Sequence, residues 1–177
     1  MSHLLNIDLN IEETELKKLS EFTSIISDIL TNREFKKLAY FSHHIYTSRY
    51  QHSINVAYYT YKMAKALKLD YVSATRGAML HDFFLYYWQD DKLTIKEHSD
   101  LHPKIALENA KKYFEVNEIM EDCILNHMWA MTSTMPKTME GKLVQTADKY
   151  SASVEVSKES LKMVKVKTFG LLAFITK

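Results

Sequence analysis

A histidine and an aspartate stand side by side, His81-Asp82, in the apolar run from Ala78 to Leu85. Burying an imidazole next to a carboxylate is costly unless both are compensated. A divalent cation compensates both at once; the alternative is a core histidine paired with the aspartate. Two further residues favour the cation. His52 opens a segment whose next residues include Ile54, Val56 and Ala57, and Asp148 falls on the same helical side as Val144, near Ala147. Two imidazoles and two carboxylates suit Mn, Fe, Co, Ni or Zn, and suit Mg less well.

Helices must position these groups. Between Ile11 and Leu30 the apolar residues Leu16, Leu19, Phe22, Ile26, Ile29 and Leu30 recur at helical steps, predicting a helix over 11–30. A short helix is expected over 34–40, then an irregular stretch from Phe41 to Tyr50 that reads as a loop. Helices over 52–69 and 71–88 follow, the second capped by Asp70. Pro103 suits the first turn of a helix ending near Glu115, and Asn117 caps one running to about Trp129. Ala130 to Met139 reads as a loop. Helices over 141–156 and 157–174 complete seven or eight helices in one all-α domain spanning 1–177. Its core lies at about 40–155, and the first and last helices are appended.

Composition removes competing functions. In 177 residues there are three glycines and two prolines, so no Gly-rich phosphate cradle can be built. Strand-rich folds, which need frequent turn residues, are equally excluded. With 23 basic and 22 acidic residues the net charge of +1 gives no broad attraction for nucleic acid or membranes. The single cysteine, Cys123, and an acidic N-terminal segment lead us to expect a reduced, cytoplasmic protein. Apolar stretches fall short of the roughly 18 residues that span a bilayer.

The order His52, His81-Asp82, Asp148, with the flanks "QHSINVAYYTYKMAKALKLD", "RGAMLHDFF" and "VQTADKYSA", resembles the HD domain superfamily of metal-dependent phosphohydrolases over about residues 40–155. The resemblance implies an all-helical HD-type bundle in which His52, His81, Asp82 and Asp148 hold a first metal. In members with two metals, histidines between the doublet and the last aspartate complete a second site. His102 and His127 fall where those would be, with Asp82 bridging. From the residues alone, His102 could instead cap the helix at Pro103, and His127 could face a helix end.

The activity implied is hydrolysis of a phosphate mono- or diester, on a small metabolite or nucleotide, by water activated between divalent cations. Asp82 sits at the centre of that scheme. Arg49, Lys104 and Lys137 are the candidate cations for the substrate anion. His43 and His44 are candidates for the site mouth, with His44 as phosphate contact or proton donor. Trp88 and Trp129 read either as core or as stacking surfaces. Phe83-Phe84-Leu85 stands where the cyclic-dinucleotide branch has a small residue and a lysine, which argues against that chemistry. The rival is a silent HD-type module that binds metal or nucleotide without turnover. A homodimer is compatible with either, and the Lys-rich end could pack on the domain or on a second subunit.

Overall fold

The computed structural model describes residues 2–44, 47–87 and 93–175, with side chains for 13–43, 47–87 and 93–157. The His44 side chain, Trp88 and the side chains of the Lys-rich end lie outside those described.

Helix α1 (Ser2–Thr31) leads through α2 (Arg33–Lys36) and a 3-10 turn (Lys37–Tyr40) into a small hairpin, β1 (Ser42–His44) and β2 (Thr47–Ser48). Then come α3 (Arg49–Ala66), α4 (Tyr71–Leu80), α5 (Ile95–Tyr113), α6 (Glu118–Leu125) and α7 (Met139–Ile175). The architecture is all-α, as the sequence predicts. Helix α3 packs on α4 and α7, α4 packs also on α6, and α1 lies against α4. Phe22, Ile26 and Ile29 of α1 join Val56, Tyr61, Met79, Phe83, Ile124 and Val144 in one buried core. Among the described residues no helix is long and apolar enough to cross a membrane.

Capping explains most of the boundaries. Asn32, Ser48, Asp70 and Asn117 each accept a main-chain N–H in the first turn of the helix that follows. Thr94 and Glu97 form a reciprocal capping box. That box starts α5 eight residues before Pro103, which therefore sits inside the helix and not in its first turn. Its missing N–H leaves the Ser99 carbonyl without its usual helical donor. Helix α3 ends with Lys68 at φ 57°, and Leu69 N–H donates to Ala64 O at 3.0 Å. This is a helix-ending turn of the kind glycine usually makes, so the chain closes it without spending a glycine.

Three further expectations shift. The stretch 41–50 carries a two-stranded hairpin, with Ser42 opposite Ser48 and His44 opposite Thr47. Helix α4 stops at Leu80, just before the His-Asp doublet, and Phe83 and Phe84 turn back into the core. One continuous helix, α7, runs where two were expected, because no residue between 156 and 158 breaks the main-chain ladder.

Candidate metal centre

His52 lies in the first turn of α3 and is wholly buried. Its Nδ1 is 3.2 Å from both carboxylate oxygens of Glu155, and its Nε2 is 2.9 Å from Asp148 Oδ1. Both partners come from α7, one helical turn and nearly another apart, so α3 and α7 clamp the ring from two sides. Glu155 also accepts from Asn55 Nδ2 (2.9 Å) and Ser151 Oγ (2.8 Å).

His81 and Asp82 follow the last residue of α4, where the chain leaves the helix. His81 Nδ1 donates to Ala78 O at 2.7 Å. Its Nε2 is buried without a hydrogen-bond partner, 3.7 Å from Asp82 Oδ2 and 3.8 Å from Asp148 Oδ1. The other oxygen, Asp82 Oδ1, faces His102 Nε2 at 3.4 Å and His127 Nε2 at 3.7 Å. Asp82 thus turns one oxygen to each of two groups.

His102 on α5 and His127, just past the end of α6, repeat the pattern of His81. Their Nδ1 atoms lie 2.9 Å from His98 O and 2.8 Å from Ile124 O. A carbonyl can only accept, so Nδ1 carries the hydrogen in each ring. The two Nε2 atoms then face each other at 2.9 Å. With both rings neutral this sets two lone pairs against one another, an arrangement that a cation relieves.

A cavity of ≈ 200 Å³ opens onto these groups, lined by Asp82, His102, His127 and Asp148 together with His43, Arg49, Phe84 and His98. Arg49 is buried at its floor. Nη1 donates to Phe84 O at 2.6 Å and Nη2 to Tyr86 O at 3.4 Å, while the guanidinium lies 3.5 Å from the centre of the Phe84 ring. Arg49 Nε is buried without a partner. The hairpin brings His43 over His52, rings stacked at 3.5 Å and 13°, with Nε2 3.6 Å from Asp82 Oδ2. Lys104 and Lys137 are exposed and line a different cavity. Trp129 is partly exposed, its carbonyl held by Gln145 and Lys149.

The family model of the HD domain matches residues 49–153. The chain belongs to the HD domain family. HD proteins form a superfamily of metal-dependent phosphohydrolases. Similar proteins include ribonuclease Y of Syntrophomonas wolfei subsp. wolfei, 34% identical over 103 residues, 58% of this chain and 18% of the relative. Ribonuclease Y of Clostridium perfringens (strain 13) is 35% identical over the same shares, and that of Thermoanaerobacter pseudethanolicus 33%. The chain therefore spans under a fifth of the length of these relatives. No solved structure matches it.

The HD residues as placed fit divalent cations. Ligand atoms of His52, His81 and Asp148 lie within 4.8 Å of one another, as do those of His81, Asp82 and His127. Every one of the four histidines has its Nδ1 anchored, which fixes the ring and aims Nε2 inward. Electrostatics agree. Burial first, then the neighbouring His81 and His102, push His127 down to about 3, so it stays a neutral donor. Burial opposes the ionisation of Asp148, but His52 and His81 outweigh it and hold it at about 2. Asp82 is likewise lowered by His81, His102 and His127 against its burial. Burial disfavours the charge on His52, but Asp148 and Glu155 overcome this and push it up to about 10. Without a cation, a proton on His52 Nε2 takes the cation's place against Asp148.

Glu155 is the residue that the sequence reading missed. It stands seven residues after Asp148, two turns along the same helical face, and that spacing is the signal that could have found it. Of the two histidines expected at the site mouth, His43 lines the cavity; the His44 side chain is not among those described.

Proposed function

We propose that the protein is an HD-type hydrolase of phosphate esters that works with two divalent cations. One would be held by His52, His81, Asp82 and Asp148 and the other by Asp82, His102 and His127. What supports this most is the pair of anchored imidazoles, His102 and His127, whose Nε2 atoms face each other 2.9 Å apart beside Asp82 Oδ1. A cation shared between the two Nε2 atoms would account for their approach. When bound, such cations acidify water to near neutrality and offset charge on a phosphoryl oxygen.

The chain's own groups do the rest. Arg49, fixed by two carbonyls and the Phe84 ring, brings a permanent positive charge to the cavity lining, where it would offset the charge of a phosphoryl group. Asp82 and Asp148 stay ionised throughout the neutral range. Glu155 keeps the His52 ring in place. The cavity, at ≈ 200 Å³, is smaller than the roughly 300–1,000 Å³ of sites that enclose a whole ligand. It suits a phosphoryl group, with the remainder of the ester outside. The relatives' name, ribonuclease, makes an RNA phosphodiester one member of the class to assay. Cytoplasmic residence and a reduced Cys123 belong to the same reading.

The test combines elemental analysis with turnover. Protein purified without chelator is expected to carry two equivalents of transition metal, falling to one in His127→Ala. With Mn added it should hydrolyse an aryl phosphate or a member of a nucleotide and oligoribonucleotide panel, and Asp82→Ala should abolish this. Full metal occupancy with no turnover across the panel would favour a silent binding module instead.

A further inference from the structure

A second cavity, of ≈ 410 Å³, is lined by chain neighbours of residues that line the metal cavity. On α5, His102 faces the first cavity and Pro103 the second. At the end of α6 and just past it, Leu125 and Asn126 line the second, whereas His127 and Met128 line the first. Neighbouring residues of the same two segments therefore line both spaces, so the two cavities adjoin along the chain.

The second cavity is rich in donors and short of acceptors. Lys104 and Lys137 both line it, and among the described residues neither ammonium forms an ion pair. The hydroxyls of Thr132, Ser133 and Thr134 also line it and have no intramolecular partner among the described residues. One carboxylate, Asp100, stands against the two ammonium groups. The nearby Asp122 is already engaged, accepting from Thr138 Oγ1 (2.6 Å), Thr138 N (2.9 Å), Lys137 N (3.1 Å) and Asn126 Nδ2 (2.8 Å). Net positive charge and clustered hydroxyl donors describe a place for an anion with several oxygens.

We propose that this cavity is an anion subsite that holds a second phosphate of the substrate while the first is hydrolysed at the metal centre. The inference rests on the phosphohydrolase reading above and narrows its substrate class to esters with two or more phosphates. A nucleoside bisphosphate and a short oligonucleotide both supply this chemistry. The small metal cavity forces the body of the substrate outward, and the donor-rich neighbour is where its next phosphate finds partners.

The test compares kcat/KM within matched pairs, 5′-AMP against adenosine 3′,5′-bisphosphate and a dinucleotide with against without a terminal phosphate. The protein should favour the member with the extra phosphate by about tenfold, the worth of one charge-assisted contact. Lys104→Ala with Lys137→Ala should bring the ratio to near one, and the corresponding pair of Arg substitutions should keep it. Preference in the first pair alone assigns the subsite to bisphosphates, and preference in the second alone assigns it to oligonucleotides. A ratio near one in the unaltered protein, or a preference that survives the alanine pair, overturns the subsite. Should no ester be turned over, the hydrolase reading fails separately. Inorganic pyrophosphate added in excess EDTA then decides: a rise in Tm that the alanine pair loses supports the anion site, and no rise overturns it.

Discussion

At the scale of single residues, the centre depends on which nitrogen of each ring is anchored. Glu155 does for His52 what main-chain carbonyls do for His81, His102 and His127. Glu155→Gln keeps the shape but weakens the grip on Nδ1, and metal affinity should fall about 10- to 100-fold in a metal titration, with helix content by circular dichroism unchanged. His52 also sets a pH dependence. Its folded pKa of about 10 lies above the ordinary value of 6.5, so in metal-free protein its contribution to stability is complete below about 6.5 and is lost as pH rises through about 10. Metal must displace that proton. Apparent affinity should therefore climb about tenfold per pH unit across neutrality, checked by titrations at about pH 6, 7 and 8 and by proton release in a calorimeter; an affinity flat with pH would contradict the assignment. The ligand types were legible in the sequence because a buried His-Asp doublet demands compensation. The anchor was not, since a glutamate between two valines reads as one more exposed position on a long helix.

Elements decide how close these residues come. Helices α4 and α6 meet at Gly77, where an added Cβ would lie 2.7 Å from Cys123 Cβ and 3.3 Å from the Met120 main chain. The doublet follows α4 by one residue and His127 follows α6 by two, so this contact sets the distance between Asp82 and His127. Gly77→Ala should cost about 1–3 kcal/mol in urea denaturation. It should also weaken the site of His102 and His127 more than that of His52 and Asp148, visible as one metal lost before the other in elemental analysis. The sequence reading has the caps at Asp70 and Asn117 where they are found. It placed Pro103 at a helix start because proline is tolerated there, while Thr94 and Glu97 together made the stronger start signal upstream. It overran α4 because Phe83, Phe84 and Leu85 keep an apolar pattern. Beyond the helix end, Asn109 Nδ2 and Arg49 donate to the carbonyls of Phe83 and Phe84, holding the chain in its non-helical path.

Across the whole molecule the candidate ligands come from α3, the end of α4, α5, the end of α6 and α7, so the two proposed cations would together tie these helices to one another. Removing both should loosen all of them at once. With metal at about a thousand times its Kd, stability should exceed that of EDTA-treated protein by roughly 4 kcal/mol, seen as a higher Tm that returns on adding metal back; an unchanged Tm would mean the residues hold no ion. The all-helical plan follows from the scarcity of turn residues, whereas the pairing of two cavities across α5 does not, since it depends on which neighbouring side chains face which wall. Three of the four ring anchors run to carbonyls only three or four residues upstream in the same stretch of chain. Each such histidine carries its own mounting within its own stretch of chain. Residues of the 129–138 loop, which hold none of these anchors, can therefore be exchanged without removing one. A protein built this way can change what it accepts while the centre that acts on it stays in place.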